Sequence, residues 1–306
     1  MLQFYRDDLA RLDAAGRLRG LRPRMGAEFA SNDYLGLSAS ARMREAMAAA
    51  LARGVAIGSG GSRLLRGNDP EHEALEVEAA AHFGSAAALF FANGYAANVA
   101  AFATLPQPGD LIVHDALVHA SAHDGMRLAR APRVAVAHND AVAFEDAIGR
   151  WRAEGGTGTP WIAVESLYGM DGDRAPLAEL AAVAARHEAM LLIDEAHATG
   201  VFGSAGRGLA EGLRCLAEEP ERQARLWTLV AAAERALGFA SGSQLFPVIV
   251  GADGAAVALA ERCQAAGYDV RAIRPPTVPA GTARLRISIT CNVDEAAIEG
   301  LGAVLR

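Results

Sequence analysis

The run Met190-Leu191-Leu192-Ile193-Asp194-Glu195-Ala196-His197 ends an apolar, strand-like stretch in a carboxylate and sets an imidazole three residues beyond it. Ligands of open parallel sheets bind past the carboxyl ends of the strands, which is where Asp194 stands; the competing role is to cap the next turn. In Phe91-Ala92-Asn93-Gly94-Tyr95-Ala96-Ala97-Asn98 an apolar run stops and a helical pattern begins at Gly94. The free N–H groups and dipole of a helix start favour an anion such as phosphate, and Tyr95 offers a flat ring, although many strand-to-helix turns share this pattern. His119, in Leu117-Val118-His119-Ala120-Ser121, follows a strand-like run and an acidic turn and reads either as ligand-facing or as an ordinary loop histidine. Residues 273–286 form a loop stiffened by prolines that leads into a strand, where Arg284 and Arg286 flank Leu285 and share one face. A guanidinium suits a bidentate grip on a carboxylate; the alternative is a solvated pair of strand charges. His72, His82, His123, His138 and His187 receive no role, and no histidine has metal-ligand spacing, so no metal site is expected.

The background chemistry narrows the choice. Lys plus Arg is 29 in the 306 residues, and every one of them is arginine. A mechanism that needs a side-chain amine nucleophile has none to draw on. The net charge of −7 disfavours a nucleic-acid binder that relies on phosphate contacts. With 52 % hydrophobic and 21 % charged residues, the chain is not disordered. Cys215, Cys263 and Cys291 make no CxxC pair and no zinc pattern, which suits a reducing compartment. The first residues lack an apolar signal core, and a cytoplasmic location is expected. The uncharged stretch from Ser85 to Leu105 is long enough to span a bilayer, but Asn93, Gly94 and Asn98 interrupt it. It reads as strand, turn and buried helix, not as a membrane segment.

The elements that must hold these groups follow from periodicity. Helical patterns run over 1–24, 40–53, 69–83, 141–153, 176–188, 213–237 and 254–266, with a flexible glycine-serine loop at 58–63. Short apolar runs at 87–92, 110–113, 134–137, 161–165 and 190–194 alternate with helices, the signature of βαβ units and a mainly parallel sheet covered on both faces. Two further strands, at 246–250 and 283–290, give the C-terminal third the character of a smaller α+β unit. The expected organisation is an N-terminal helix and arm (1–38), a large cofactor-binding α/β domain (39–212) and a small α+β domain (213–306).

Taken in order along the chain, these segments resemble the α-oxoamine synthases, a pyridoxal-phosphate family of fold type I. The matching residues are Ser31-Asn32-Asp33-Tyr34-Leu35-Gly36-Leu37, Gly58-Ser59-Gly60-Gly61-Ser62-Arg63, Asn93 to Asn98, His119-Ala120-Ser121, Met170-Asp171-Gly172-Asp173 with Ala175-Pro176-Leu177, Asp194 to Gly200, and the loop from Arg274 to Arg286. The last resembles the branch of the family that serves biotin synthesis. The resemblance implies pyridoxal 5'-phosphate as cofactor, with Asp194 on the pyridine nitrogen, His119 stacked on the ring, His197 on the phenolic oxygen, and Gly94, Tyr95 and Gly169 beside the cofactor. It implies that Arg286 grips the amino-acid carboxylate and that Arg22 and Thr277 contact the substrates. The implied reaction is decarboxylative condensation of L-alanine with pimeloyl-CoA, or its acyl-carrier form, to 8-amino-7-oxononanoate, in a homodimer.

The sequence departs from the family pattern at three places. Gly169 stands where the family more often has a serine that reaches the cofactor. The stretch between Arg22 and Ser31 lacks a small strand-rich insertion. Between Gly206-Arg207-Gly208-Leu209 and the helix near Leu213–Arg225, a long stretch is missing that in the family holds sheet strands and a Thr-x-x-Lys motif, whose lysine captures the cofactor covalently. Loss of strands from a covered parallel sheet is expected to expose apolar faces of the neighbours. If residues were omitted at these junctions, Cα spacings beyond the usual ~3.8 Å are expected within 22–31 and 206–216; a shortened chain runs through both continuously.

Overall fold

The structure is a computed structural model that describes residues 2–203, 206, 208–210 and 220–306. In chain order the elements are α1 (Leu2–Ala14), β1 (Ala27–Glu28), α2 (Ala41–Ala52), a π-helical turn (Arg63–Gly67), α3 (Pro70–His82), α4 (Gly94–Thr104), β2 (Leu111–Asp115), α5 (Ala120–Leu128), β3 (Arg133–Val136), α6 (Ala141–Ala153), β4 (Pro160–Glu165), α7 (Leu177–His187), β5 (Met190–Asp194), α8 (Pro220–Leu237), β6 (Leu245–Gly251), α9 (Asp253–Ala265), β7 (Tyr268–Asp269), β8 (Arg271–Ile273), β9 (Ala283–Ser288) and α10 (Glu295–Leu305). The chain divides into one unit of residues 1–59, 169–172 and 215–306 and a second of residues 60–168 and 173–214. The arm at 1–38 and residues 39–59 thus fold with the C-terminal third.

The second unit is built on a parallel sheet of order β3-β2-β4-β5. Its centre is what two-sided cover requires: Ile112, Val113, Ile162 and Ala163 are fully buried, and Phe144, Ile148, Leu180 and Val183 of α6 and α7 close one face. The edges differ from the expected apolar cover. Three of the four residues of β3 are exposed, and β5 is only half-covered, with Met190 50 % exposed. Among the described residues β5 pairs with β4 alone. This is the exposed apolar neighbour that loss of strands predicts.

The apolar run at 87–92 is not a strand. It is extended but joins no ladder, and Leu89 and Phe90 are 66 % and 45 % exposed. Its local anchor is the Glu76 carboxylate, which accepts from the Phe90 N–H at 2.8 Å. α4 begins at Gly94 as expected, but Phe102 is its one buried residue, so it is a half-covered helix.

The first unit holds an antiparallel sheet of order β6-β9-β8 and a parallel pair β1-β7. The helix expected over 1–24 stops at Ala14, because Gly16 takes a left-handed conformation (φ 65°) that ends the helix while the Arg17 N–H bonds back to Leu12. Within 22–31 lies β1, where the Ala27 N–H donates to Gly267 and the Phe29 N–H to Asp269. Gly26 lies so close to the Gly267 carbonyl that a Cβ there would sit 1.8 Å from its oxygen, which explains a glycine at this turn. The other junction, 206–216, lies for the most part outside the described residues, as do residues 213–219 of the helix expected over 213–237.

Candidate active site

Three neighbouring parallel strands of the second unit end in carboxylates: β2 in Asp115, β4 in Glu165 and β5 in Asp194, with Glu165 and Asp194 in register. The chain order reverses about β2, with β3 on one side and β4 on the other, and such a reversal opens a crevice beyond the strand ends. Asp194 is held from two sides. Its Oδ1 accepts from the Ala196 N–H at 2.9 Å, and its Oδ2 accepts from Asn98 Nδ2 at 2.7 Å. The same amide nitrogen donates to Ser121 Oγ at 3.0 Å, and Ser121 Oγ lies 2.7 Å from His119 Nδ1. The Ser121 N–H also points at that nitrogen, at 3.2 Å. A backbone N–H can only donate, so Nδ1 is the acceptor and the other ring nitrogen carries the hydrogen. Gly125 makes the chain possible: a Cβ there would sit 2.8 Å from Phe102 Cβ and 3.0 Å from the Asn98 carbonyl, so only a glycine lets α5 approach α4 this closely.

The helix starts are also formed. The Asn93 side chain caps α4 by accepting from the Ala96 N–H at 2.8 Å, which leaves the N–H groups of Gly94 and Tyr95 without intrahelical acceptors. The Tyr95 hydroxyl donates to Asp124 Oδ2 at 2.6 Å, which raises its pKa and ties the ring to α5. His197 follows Asp194 in the turn after β5 and is partly buried.

In the first unit the two strand arginines part company. Arg284, 4 % exposed, pairs with Asp171 and donates to the Met170 carbonyl. Arg286 donates to Asn32 Oδ1 at 2.9 Å and points at the Gly169 carbonyl at 3.5 Å; among the described residues no carboxylate lies within ion-pair distance of it. Tyr34 stands beside it. Burial pushes its hydroxyl up to about 12 against the lowering influence of Arg286. The Ser31-Asn32-Asp33-Tyr34 segment therefore serves to hold Arg286. Thr277 is exposed and its hydroxyl accepts from Arg19 Nη2 at 2.9 Å. Arg22 donates to Gln264 and faces Glu261.

Asn98, Ser121, Asn32 and Arg19 carry no role in the sequence reading. The signals for the first three lay in motifs already noted, but their pairing depends on packing between elements distant in sequence. His138 is a fifth omission: it bridges Asp115 (2.9 Å) and Asp173 (2.7 Å), and the Asp115 carboxylate is fully buried.

The aminotransferase class I and II family model matches residues 25–231. The 8-amino-7-oxononanoate synthase of Anaeromyxobacter dehalogenans (strain 2CP-1) is 35 % identical, covering 97 % of this chain and 93 % of the relative. That alignment runs over 376 positions, more than the 306 residues present here, so the relative carries internal residues without a counterpart in this chain. A solved serine palmitoyltransferase from Sphingomonas wittichii superposes with a TM-score of 0.85 at 25 % identity, over 99 % of this chain and 95 % of that one. A structure of SPT with a pyridoxal-phosphate internal aldimine gives 0.84 at 27 %, over 92 % and 86 %. Fold and site thus define a pyridoxal-phosphate-dependent protein of the fold type I class. Within that class the chain belongs to the α-oxoamine synthase family, alongside the 8-amino-7-oxononanoate synthases.

The donors present suit the cofactor in part. A carboxylate oriented by an amide, an imidazole with a fixed tautomer and a helix start with free N–H groups match a pyridine nitrogen, an aromatic face and a phosphate. Covalent capture is not matched, because the chain contains no lysine.

Proposed function

We propose that this chain serves the decarboxylative condensation of L-alanine with a pimeloyl thioester, giving 8-amino-7-oxononanoate, carbon dioxide and the free thiol, as a cytoplasmic homodimer. The observation that carries the reading is Arg286, a strand guanidinium held by Asn32 with no acid of its own among the described residues, as an amino-acid carboxylate requires. Bound pyridoxal phosphate supplies an electron sink for charge developing at the α-carbon. The chain's own residues do the rest. Asp194 accepts from the pyridine nitrogen, His119 lies on the ring face, His197 donates to the phenolic oxygen, and Gly94, Tyr95 and Gly169 line the cofactor's surroundings. Arg286 grips the carboxylate, and Arg22 and Thr277 meet the acyl side. Incubation with L-alanine, pimeloyl-CoA and pyridoxal phosphate, with product detected by mass, tests this. Formation of 8-amino-7-oxononanoate supports it, and none with either the CoA or the carrier-protein thioester contradicts it.

Two observations favour other readings. The absence of lysine removes both covalent capture and the family's proton-moving amine. It favours a non-catalytic member that binds the cofactor without covalent attachment, or one that pairs with an intact subunit. A small primary amine in the assay separates this reading from the first: a chain that lacks only the amine gains turnover, whereas a binding protein does not. The likeness to serine palmitoyltransferase favours a sister synthase that uses serine. Competition between L-alanine, glycine and L-serine decides this, since one methyl group changes binding by only about 10- to 200-fold.

A further inference from the structure

We propose that Asn98 is the positioning residue of the cofactor site, setting through one amide the two groups that meet the cofactor, Asp194 at its ring nitrogen and His119 on its face. The proposal rests on the cofactor roles just given to those two residues. An amide Nδ2 has two hydrogens and accepts nothing. Here one reaches Asp194 Oδ2 at 2.7 Å and the other Ser121 Oγ at 3.0 Å. With its oxygen occupied by that donor, the fully buried Ser121 hydroxyl turns its own hydrogen to His119 Nδ1 at 2.7 Å. The order of donors is therefore fixed along the whole chain: amide to serine, serine to imidazole, amide to carboxylate.

The placement gives this a purpose. Asp194 ends β5, which among the described residues pairs on one side alone, with no second strand to steady it. Its Oδ1 is held by its own turn through the Ala196 N–H. Asn98 supplies the second restraint from α4, one helical turn below Gly94, so the helix whose start faces an anion also aims the carboxylate. Each oxygen of Asp194 keeps a lone pair for a ring N–H. Without Asn98, the carboxylate keeps only the Ala196 N–H, and the serine hydroxyl loses the donor that turns its hydrogen to the imidazole.

The test is equilibrium binding of pyridoxal phosphate to the wild-type chain and to Asn98→Ala, Asn98→Ser, Asn98→Asp and Ser121→Ala, with the absorbance of the bound cofactor followed against pH. The cofactor-free variants are melted in parallel. Asn98→Ala is expected to weaken binding roughly 10- to 100-fold. It should also lower the pH at which the bound ring nitrogen loses its proton, with little change in cofactor-free melting. Asn98→Ser, which keeps one donor, should recover part of both. Asn98→Asp, which sets a like charge against Asp194, should do worse than alanine. Ser121→Ala should weaken binding without moving the ring-nitrogen titration. Equal affinity and an unchanged titration in Asn98→Ala overturn the proposal, as does a loss explained by melting alone that Asn98→Ser does not reverse. A wild-type chain that binds no pyridoxal phosphate overturns the cofactor site itself, and the proposal with it.

Discussion

Arg284 and Arg286 lie two residues apart on one face of β9, yet only Arg284 has its charge answered by an acid, Asp171, among the described residues. The pair separates structure from ligand binding. Arg286→Gln should raise the KM for the amino acid roughly 10- to 100-fold, the loss of a charge-assisted bidentate contact, and leave melting nearly unchanged. Arg284→Gln should do the reverse, costing about 1–3 kcal/mol of stability because Asp171 loses its partner. Steady-state kinetics and thermal melts of both variants check this. Equal effects of the two on KM would contradict the assignment.

His138 gives the fold a dependence on pH. Burial opposes a charge on its ring, but hydrogen bonds and attraction from Asp115 and Asp173 outweigh it, so its pKa stands above the ordinary 6.5. A raised folded-state pKa stabilises fully below the unfolded value, and the contribution disappears as pH rises through the folded value. The wild-type chain should therefore exceed His138→Gln in stability most at about pH 5.5, with the gap narrowing toward about pH 9. Denaturant melts across that range decide it, and a gap that widens with pH would show that the ring is held neutral.

The open side of β5 is a site for unwanted strand pairing. Met190 begins that strand and is 50 % exposed. Met190→Glu puts a charge on the edge, which discourages edge-to-edge contact, and should change stability by no more than about 0.5 kcal/mol. Light scattering against concentration should show reduced association at high concentration. A variant that unfolds instead would place Met190 in a packed environment that the structure does not show.

The strongly patterned parts of the fold were legible in the sequence. The helix over 141–153 has its expected bounds because apolar periodicity and burial agree there, and the strand at 190–194 has them because its apolar run ends at Asp194, although it is only half-covered. What was not legible had specific causes. β1, β7 and β8 have only two or three residues, too few for a period; β1 and β7 exist because residues 26–29 meet 267–269 in space, and β8 because it pairs with β9. α10, over Glu295–Leu305, was overlooked although Asp294 caps it and Ile298, Leu301 and Gly302 form its buried stripe. The run at 87–92 had the composition of a strand but no partner. In the site, Asp194 at a strand end and the Arg284 and Arg286 pair on one strand face could be picked out from sequence, and only the family resemblance set Arg286 apart. Asn98 and Ser121 could not, because their link depends on Gly125 bringing two helices together.

The cofactor site is expected to hold pyridoxal phosphate without a lysine, and one measurement tests this directly. The purified chain is saturated with pyridoxal phosphate, its stoichiometry is read by equilibrium dialysis, and a parallel sample is reduced with borohydride before its intact mass is taken. The expected result is one cofactor per chain that dialyses away, and after reduction a mass equal to that of the unmodified sequence. Failure to bind, or a reduced chain heavier by one cofactor, would contradict it.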